Sequence, residues 1–517
     1  MQSFDVHIVE NEFFGLYDAL PGDRIPKGYF NKIDNAFCSD NKISKVFGSS
    51  TIAASIASQN FNGLAAFEKV SSSNKWLVVS INGASNAQLY QWSGSGNFTA
   101  IGSANLTNNQ PINWAVANDI LYGFNGTEVV SWDGTTVTKN PSSVPNGFYA
   151  EWFHNYLFVA KTSANPNRVF WSNLGDPTTF NGSNFVDINP GDSDQIMGLV
   201  GFPGQDELLV FKRNTIWSIT GWSGTTFSTT TINTQNTNNR IFGYGTVSPF
   251  SIVPVGSEVF WFSMLGAAPV IRSLKRTSQG ITLGAGVISD QIKGTMAGIN
   301  TNQLALIAGG FDGRYVYWAV PTGSSTTNNQ IIALDTWEIQ SGKGIYPFIT
   351  MSNKNAQNFA TSTIPGFSQI YFTDATASTG LVYKFDTSVF TDNGTNVTMD
   401  VRTKDYASSG SNKTKWKYGY VTYDTGSAAS VAVNARIDRA TGFTNQKNIS
   451  MQGNSPGLGS FILGTSVLGG QGTTDTRWGF AQMTGHYMGL QFKDTTANSV
   501  VLHTWELWGK RKPLRAN

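Results

Sequence analysis

The chain is poor in cysteine and in charged residues, and each shortage removes a class of protein. Cys38 is the single cysteine, so no disulfide forms within the chain and a zinc site of the cysteine type is excluded. Lys, Arg, Asp and Glu make up only 13% of the residues, against the ~25% of ordinary globular domains. The formal net charge of +2 excludes a strong overall field that would recruit nucleic acid or a membrane.

Long apolar runs are missing as well, and so is a secretory signal. No stretch of about 18 consecutive apolar residues occurs, so the sequence predicts no membrane span. The first residues, MQSFDVHIVENEFF, lack the basic and apolar regions of a signal peptide. We therefore attribute the Asn-x-Ser/Thr triplets to the abundance of Asn and Thr rather than to glycosylation.

The residues that are abundant are glycine, aromatic residues and neutral polar residues. The chain contains 54 Gly, and Phe, Trp and Tyr make up 13% of it. This composition favours short strands joined by tight turns over helices. At 517 residues the chain is too long for one ordinary core, so we expect two or more domains or one large repeat.

Strand-like segments recur in units along most of the chain. Each unit has a short apolar strand, a turn, a second strand that ends in an aromatic residue, and a polar corner. A repeat of roughly 40–50 residues built from strands is the period of a β-propeller blade. The sequence therefore predicts an all-β fold with a β-propeller of about seven blades; the alternative is a pair of β-sandwiches with evenly spaced hairpins. The aromatic markers of the units lie 39 to 57 residues apart at Trp92, Trp132, Trp171, Trp217, Trp261, Trp318 and Tyr371.

The stretch VFWSNLGDPTTFN, from Val169 to Asn181, shows the design of a unit. A bulky strand end runs directly into a corner of Ser, Asn, Gly, Asp and Pro. We expect the aromatic strand end to fill the space between two blades. The corner residues are suited to turn the chain at the rim, because Asn and Gly accept positive φ and Pro presets a turn φ.

Three segments follow from this pattern. Residues 1–45 show no clear strand pattern and are predicted to be an irregular N-terminal assembly segment. Residues 46–390 carry the propeller units. Residues 391–517 contain six or so alternating strands, such as VAVNAR and LHTWELWG, and predict a C-terminal β-sandwich-like domain with a Gly-rich loop from Gly453 to Gly472.

Motifs of catalytic and ligand-binding sites are scarce, and we predict no catalytic, cofactor-binding or metal-binding residue. The best candidate for a cation site is the loop VDINPGDSDQ with Asp187, Asp192 and Asp194, but it lacks the calcium-loop pattern, and turn formation explains it equally well. None of the histidines has metal-ligand spacing, and we interpret them as packed or surface side chains; they are His7, His154, His486 and His503.

Motifs of propeller enzymes are incomplete. SWDGTTV, around Trp132 and Asp133, is similar to a sialidase Asp-box but is one residue short, and it lacks the Gly-His partner of a WD repeat. We interpret Trp222 as part of a blade core, with sugar or protein stacking as the alternative. The basic cluster near the C-terminus is interpreted as a solvated tail, with contact to an acidic partner or passing nucleic acid as the alternative; it comprises Lys510, Arg511, Lys512 and Arg515.

One long run of the chain resembles a known family. Phe153 to Gly221 contains WSNLGDPTTF, IMGLVGF and ELLVFKRNTIW, and Arg240 to Ser263 continues with GYGTVSPF. These runs resemble segments of tail proteins of tailed bacteriophages, and the architecture resembles that of the nozzle or hub proteins of short-tailed phages. The resemblance covers most of residues 60–390 and, more loosely, the last strands up to LHTWELWGKRK. The chain departs from larger nozzle proteins because it has no room for their long insertions, so a tail-tip or fibre-attachment role in another tail type stays open.

The resemblance implies a structural protein of the virion and not an enzyme. It implies a homo-oligomeric ring, sixfold in the family, below the portal and its adaptor proteins, which continues the DNA ejection channel and docks tail fibres or a plug. DNA would pass through without sequence-specific binding, and the protein would be made in the host bacterial cytoplasm. Two other functions remain: a lectin-like propeller, which predicts the same polar and aromatic set in every blade, and a glycan hydrolase, which predicts convergent carboxylates in one pocket.

Overall fold

Strands supply nearly all of the regular structure. The computed structural model describes residues 6–56, 59–202, 206–220, 228–231, 244–276, 282–364, 368–407, 412–452, 472–481 and 483–512. Within these ranges no helix has the length and hydropathy needed to cross a membrane. The described helical elements are α1 (Lys293–Ala297) and short 3₁₀ turns at Gly22–Arg24, Pro249–Ser251, Asp290–Ile292, Thr301–Leu306 and Ser341–Lys343.

The chain opens with short strands, some of which pair with each other and some with strands far away in the sequence. They are β1 (Val6–Glu10), β2 (Gly15–Leu16), β3 (Tyr29–Asp34), β4 (Ala36–Ser39), β5 (Lys42–Lys45) and β6 (Gly48–Thr51).

Five antiparallel sheets of four consecutive strands follow, and each is a propeller blade. The first three blades are β7 (Phe61–Lys69), β8 (Asn74–Ile81), β9 (Gln88–Trp92) and β10 (Thr99–Ala100); β11 (Asn113–Ala117), β12 (Ile120–Phe124), β13 (Val129–Trp132) and β14 (Val137–Lys139); and β15 (Gly147–Phe153), β16 (Tyr156–Thr162), β17 (Arg168–Trp171) and β18 (Phe185–Asp187). The fourth and fifth blades are β19 (Ile196–Gly201), β20 (Leu208–Lys212), β21 (Ile216–Thr220) and β22 (Ser228–Thr231); and β23 (Val253–Val255), β24 (Glu258–Leu265), β25 (Ala268–Arg276) and β26 (Thr282–Val287).

The ring is completed by strands that belong to larger sheets. In the closing blade, β6 from the start of the chain pairs antiparallel with β33 and so supplies the outer strand. The inner strand β31 lies beside β7, which closes the ring. The predicted β-propeller is confirmed, although among the described residues the blades that form sheets of their own number six and not about seven. Strands β27–β30 lie between the fifth blade and the closing blade and belong to a ten-stranded sheet. These strands are β27 (Ala308–Phe311), β28 (Tyr315–Val320), β29 (Gln330–Asp335), β30 (Phe348–Ser352), β31 (Ala356–Ser362), β32 (Gln369–Asp374) and β33 (Val382–Asp386).

The hydrophobic clusters lie between neighbouring blades. Phe67, Leu121 and Trp132 join the first and second blades, and Trp92 and Tyr371 join the first and closing blades. An aromatic side chain of this kind removes ~150–250 Å² from water. The prediction that aromatic markers fill the space between blades is confirmed, because six of the seven markers are buried, namely Trp92, Trp132, Trp171, Trp261, Trp318 and Tyr371.

After the propeller the chain first forms a hairpin of β34 (Thr391–Asp392) and β35 (Thr395–Asn396), which extends the sheet of the closing blade. The remaining strands form a β-sandwich. They are β36 (Met399–Ala407), β37 (Thr414–Asp424), β38 (Ser430–Ile437), β39 (Thr444–Ser450), β40 (Thr473–Gly479), β41 (Thr484–Gly485), β42 (Tyr487–Asp494) and β43 (Val501–Arg511). One sheet has the order β4-β5-β43-β37-β40, with β1 beside β43 and β41 beside β37. The other has the order β3-β36-β42-β38-β39 and continues through β3 into β30 of the propeller.

The sandwich core is built from both ends of the chain. Trp505 on β43 stacks on Phe13 at 5.0 Å between ring centroids, and it donates its indole N–H to the Tyr406 hydroxyl at 2.9 Å. Trp416 is fully buried in the same core.

The prediction of an irregular segment at residues 1–45 differs from the structure. Strands β1, β3, β4 and β5 lie in the sandwich, and β1 pairs with β43 in the register His7 opposite Trp508. All four strands are short, so no clear alternation marks them. Strands β1 and β3 pair with strands hundreds of residues away, and the local hairpin of β4 and β5 joins the sandwich through β43. The predicted C-terminal domain therefore includes the start of the chain, while all strands of the ring lie between Gly48 and Asp386.

Candidate functional site

The propeller axis is occupied by side chains of the inner strands. A cavity of about 170 Å³ remains there, lined by Leu64, Trp114, Phe250 and Phe359 with Asn113 and Asn358. Gly63 on β7 allows this packing, since a Cβ atom at that position would lie 2.6 Å from the Trp114 indole nitrogen. The space that these residues leave is therefore small, and both polar and apolar side chains line it.

Polar side chains of the inner strands connect neighbouring blades. Ala150 donates its backbone N–H to Asn113 Oδ1 at 2.8 Å, and Gly201 donates its backbone N–H to Glu151 Oε1 at 3.1 Å. Burial raises the pKa of Glu151 to about 7, against the lowering effect of that hydrogen bond. These groups are therefore occupied in holding the ring together.

The three carboxylates of the candidate cation loop are close in sequence but each has its own partner. Asp187 forms a bidentate pair with Arg168, with distances of 2.7 and 2.9 Å. The ammonium group of the fully buried Lys212 donates hydrogen bonds to both carboxylate oxygens of Asp192, at 2.7 and 2.9 Å. Asp194 accepts the backbone N–H of Asn214 at 3.1 Å.

The charges of this loop therefore have structural roles. Arg168 lowers the pKa of Asp187, whereas burial raises the pKa of Asp194. Among the described residues, no group of three or more His, Cys, Asp or Glu side chains is arranged to hold a metal ion.

The histidines are dispersed, as the sequence spacing predicts. His7 stacks on Trp508 with ring centroids 3.7 Å apart, and His503 lies 2.7 Å from Asp424 Oδ1. His154 occupies a two-residue hairpin turn between β15 and β16 at φ 48°, and the backbone N–H of His486 donates to Asp438. Burial raises the pKa of the Cys38 thiol far above its usual range, so this thiol is not a nucleophile at neutral pH.

The polar corners share one hydrogen-bonding pattern. Asp133 Oδ1 accepts the backbone N–H groups of Thr135 and Thr136 at 2.8 and 2.7 Å. Asp176, in the GDPTT corner, likewise accepts the N–H of Thr178 at 2.9 Å. An Asp that bonds the backbone two residues ahead closes a turn, and this explains both the recurrent corners and the partial Asp-box.

A second cavity, which no motif predicts, lies between the closing blade and the β34–β35 hairpin. It measures about 240 Å³. Lys354, whose side chain is fully buried, lies there with its ammonium group 2.6 Å from Asp392 Oδ1, and Ser49 Oγ donates to the same oxygen at 2.8 Å. This network ties the closing strand β6 to the start of the sandwich, so its role in the fold is already accounted for.

An exposed tryptophan lies at a position that the sequence analysis does not single out. Trp222 lies outside the described residues. Trp337 is 70% exposed, and its ring is held by a hydrogen bond from its indole N–H to Gly313 O at 3.2 Å and by Arg314, 5.0 Å from the ring centroid. No pattern in the sequence separates this Trp from the buried ones.

Two residues of the basic cluster near the C-terminus lie in a strand, and a third follows directly after it. Lys510 and Arg511 are the last residues of β43, and Lys510 lies directly opposite Lys415 of β37. Lys512 continues the pairing through its backbone N–H, which donates to Lys413 O at 2.8 Å. The interpretation as a solvated tail is therefore wrong for Lys510, Arg511 and Lys512, and Arg515 lies outside the described residues.

Comparisons with known proteins give only remote structural likenesses. No family model and no curated protein matches the chain. Among solved structures, a protein from Lactobacillus plantarum is similar over 63% of this chain and 97% of its own, with 11% identity and a TM-score of 0.38. The Dos1 propeller is similar over 64% of this chain and 82% of its own, with 12% identity and a TM-score of 0.39. Likenesses this remote do not bear on function.

Proposed function

We propose that the chain is a structural protein of a bacteriophage tail, a nozzle or hub that assembles as a homo-oligomeric ring, sixfold as in the family that it resembles. The sequence support is the resemblance of Phe153 to Gly221 to phage tail proteins. In this proposal the ring lies below the portal and adaptor, continues the DNA ejection channel and docks fibres or a plug. The protein is then a component of the virion, made in the host cytoplasm.

One structural observation supports the proposal above the others. The ten-stranded sheet runs without interruption from β27 in the propeller to β39 in the sandwich. At the junction Asp34 of β3 is paired with Thr350 of β30 and accepts hydrogen bonds from Ser352, so direct contacts as well as the chain join the two domains into one body. Such a body suits a ring that must keep its shape while DNA passes and fibres pull on it.

The size of the axial cavity limits where DNA could pass through the proposed ring. At about 170 Å³, with Trp114, Phe250 and Phe359 in its wall, the space on the propeller axis is far too narrow for duplex DNA. In the proposed assembly the DNA channel therefore runs between the copies of the ring and not through any single propeller.

The chemistry of the described residues fits an assembly role better than either alternative. The carboxylates of the 187–194 loop are all engaged by Arg168, Lys212 and the backbone at Asn214, so they give no support to a glycan hydrolase. The two cavities described above have unrelated linings, which gives no support to a lectin with the same pocket in every blade.

Sedimentation velocity and negative-stain class averages of the purified protein test the proposal. We expect a concentration-dependent ring with a central opening, formed by the protein alone or on addition of the portal and adaptor proteins. A protein that stays monomeric at all concentrations and in the presence of those partners would contradict it.

A further inference from the structure

Four lysines form an exposed cationic patch on the outer sheet of the sandwich. We name Lys413, Lys415, Lys510 and Lys512 the lysine patch; all four are exposed. Lys415 and Lys510 are direct cross-strand partners, and the bond from Lys512 N–H to Lys413 O sets the other two side by side. Because residues two apart on a strand point to the same face, the four side chains leave the sheet on one side.

This arrangement is unfavourable for the isolated fold. Like charges directly opposite each other on neighbouring strands destabilise a sheet. Elsewhere lysines have close carboxylates, as with Lys32 and Asp400 at 2.8 Å and Lys139 and Glu128 at 2.7 Å. Within the described part of the chain, no carboxylate lies within 4.0 Å of any lysine of the patch. The patch is therefore a set of neighbouring positive charges that is not neutralised internally.

A further cation extends the same face. Arg477 on β40 is exposed, and its guanidinium carbon lies 3.6 Å from the centroid of the Tyr418 ring. The same face also carries acids, and neighbouring side chains engage them. Glu506 is bound by His7 at 2.9 Å and by the Trp508 indole N–H at 3.2 Å, and Asp475 accepts the Thr422 hydroxyl at 2.5 Å. The cations of this face are therefore not paired with its acids.

The chemistry of the patch favours the phosphates of duplex DNA over other polyanions. Lysine ammonium groups act as mobile point charges that bind phosphate without reading sequence. Single-stranded nucleic acid and sugars would use open aromatic faces. Here the neighbouring rings are covered, Trp508 by His7 at 3.7 Å and Tyr418 by Arg477 at 3.6 Å.

We propose that the lysine patch is a sequence-independent contact for the phosphate backbone of duplex DNA, and that it faces the channel of the ring. The identity of the polyanion rests on the proposed function, since a tail nozzle surrounds DNA. With four phosphate contacts a protomer binds weakly and releases readily at moderate salt. A contact of this strength guides DNA through a channel without trapping it, and it agrees with a chain whose total charge is only +2.

Fluorescence anisotropy of the purified full-length protein with a short labelled duplex of mixed sequence tests this. Between ~50 and ~200 mM NaCl, four contacts predict a slope of log K against log salt of about −4. In the double variant Lys415→Gln/Lys510→Gln the slope should fall to about −2, and the affinity at ~100 mM salt should fall by about tenfold or more. Thermal melting reports folding, and the variant should melt no lower than the parent because a repulsion is removed.

A matched control removes the same charge elsewhere. Lys343 and Lys447 are also exposed, on the propeller and on the far edge of the sandwich, so Lys343→Gln/Lys447→Gln should leave slope and affinity unchanged. An equal loss in both double variants, or no duplex binding by the parent at ~50 mM salt, would overturn the proposal. Patch-dependent binding to vesicles of anionic phospholipid, with DNA binding unaffected by the variant, would overturn it in favour of a lipid headgroup.

Ring assembly is measured separately by sedimentation, so the two proposals fail in different ways. A ring that binds no DNA would overturn the patch and leave the nozzle. A DNA-binding monomer that forms no ring with its partners would overturn the nozzle while the patch remains a phosphate site.

Discussion

The propeller and the sandwich are both built from strands, but they differ in how far apart in the sequence the paired strands lie. Each of the first five blades pairs four strands that follow one another in the chain. The sandwich pairs β1 and β5 from the start of the chain with β43 from its end. Non-local pairings must overcome the entropy of closing a long loop before their contacts stabilise anything. The early blades are thus specified by neighbouring segments, whereas the sandwich is built from strands of both ends of the chain.

The largest expected effect comes from deleting residues 1–45. The deletion removes β1, β3, β4 and β5 and exposes Trp505, which packs against Phe13 and Phe30. We expect the sandwich to lose its fold, while the blades β7–β26 keep their local pairings. Limited proteolysis with mass spectrometry should show rapid cleavage within residues 391–512 and protection of the early blades. A protected sandwich in the deletion variant would break the comparison.

The buried pair of Lys45 and Asp494 joins the two ends of the chain inside the sandwich. Both side chains are 0% exposed, and their charged atoms are 2.6 Å apart. Lys45→Ala leaves a buried carboxylate without its cation, so the free energy of unfolding should fall by about 3–5 kcal/mol, as measured by urea denaturation.

An apolar double variant separates charge from packing at this site. Lys45→Met/Asp494→Leu removes both charges together and should recover most of the lost stability, because buried ion pairs are often replaceable by apolar groups. A loss below about 1 kcal/mol in Lys45→Ala would show that the pair is not a fixed link between the ends.

In the propeller, a substitution of Trp132 tests whether the loss of stability is confined to the neighbouring blades. It is 2% exposed and packs between the first and second blades, with Phe67 at 5.4 Å and Trp76 at 5.1 Å between ring centroids. Trp132→Ala should lower the free energy of unfolding by about 3 kcal/mol. Hydrogen exchange should rise in the blades on either side and stay unchanged in the sandwich. A general rise across both domains would contradict local specification.

The smallest expected effect is a pH dependence at Glu151 inside the ring. Its pKa is raised by burial to about 7, so the folded protein binds the proton more tightly than the unfolded chain. The stabilisation from this proton is complete below the unfolded pKa and is lost as the pH rises toward 7. Glu151→Gln keeps an acceptor for Gly201 and should raise stability at pH 8 by about 1–2 kcal/mol while changing little at pH 4.

Asp187 serves as a control, because its pKa is shifted in the opposite direction from that of Glu151. Arg168 lowers the pKa of Asp187, so its stabilisation is present above the unfolded pKa and is lost as the pH falls. Thermal melts of Asp187→Asn should therefore approach those of the parent only in acid. Parallel pH profiles for the Glu151 and Asp187 variants would contradict the assigned environments.

The features that could be predicted from the sequence are those that repeat along the chain. The all-β class, the propeller and the buried aromatic markers follow from short-range patterns, because blades are built from neighbouring strands and their corners use local Asp-to-backbone hydrogen bonds. The 187–194 loop is a candidate cation site in the sequence because its three carboxylates lie close together along the chain. Only the structure supplies Arg168 and Lys212, which engage two of them from neighbouring strands.

What depends on distant pairing could not be predicted. No local signal marks β1 or β3 as sandwich strands, or β6 as the outer strand of the closing blade. The lysine patch also depends on the pairing of distant strands. Lys413 and Lys415 are about a hundred residues from Lys510 and Lys512, and only the register of β37 with β43 brings them together. Lys354 and Asp392 likewise meet across a fold boundary.

The most direct test of the account is a cryo-electron-microscopy reconstruction of the tailed particle that carries this protein. The account predicts identical copies in a closed ring on the tail axis, below the portal and adaptor, with each propeller axis filled and the lysine patch facing the lumen. Copies located away from that axis, or absent from the particle, would contradict it.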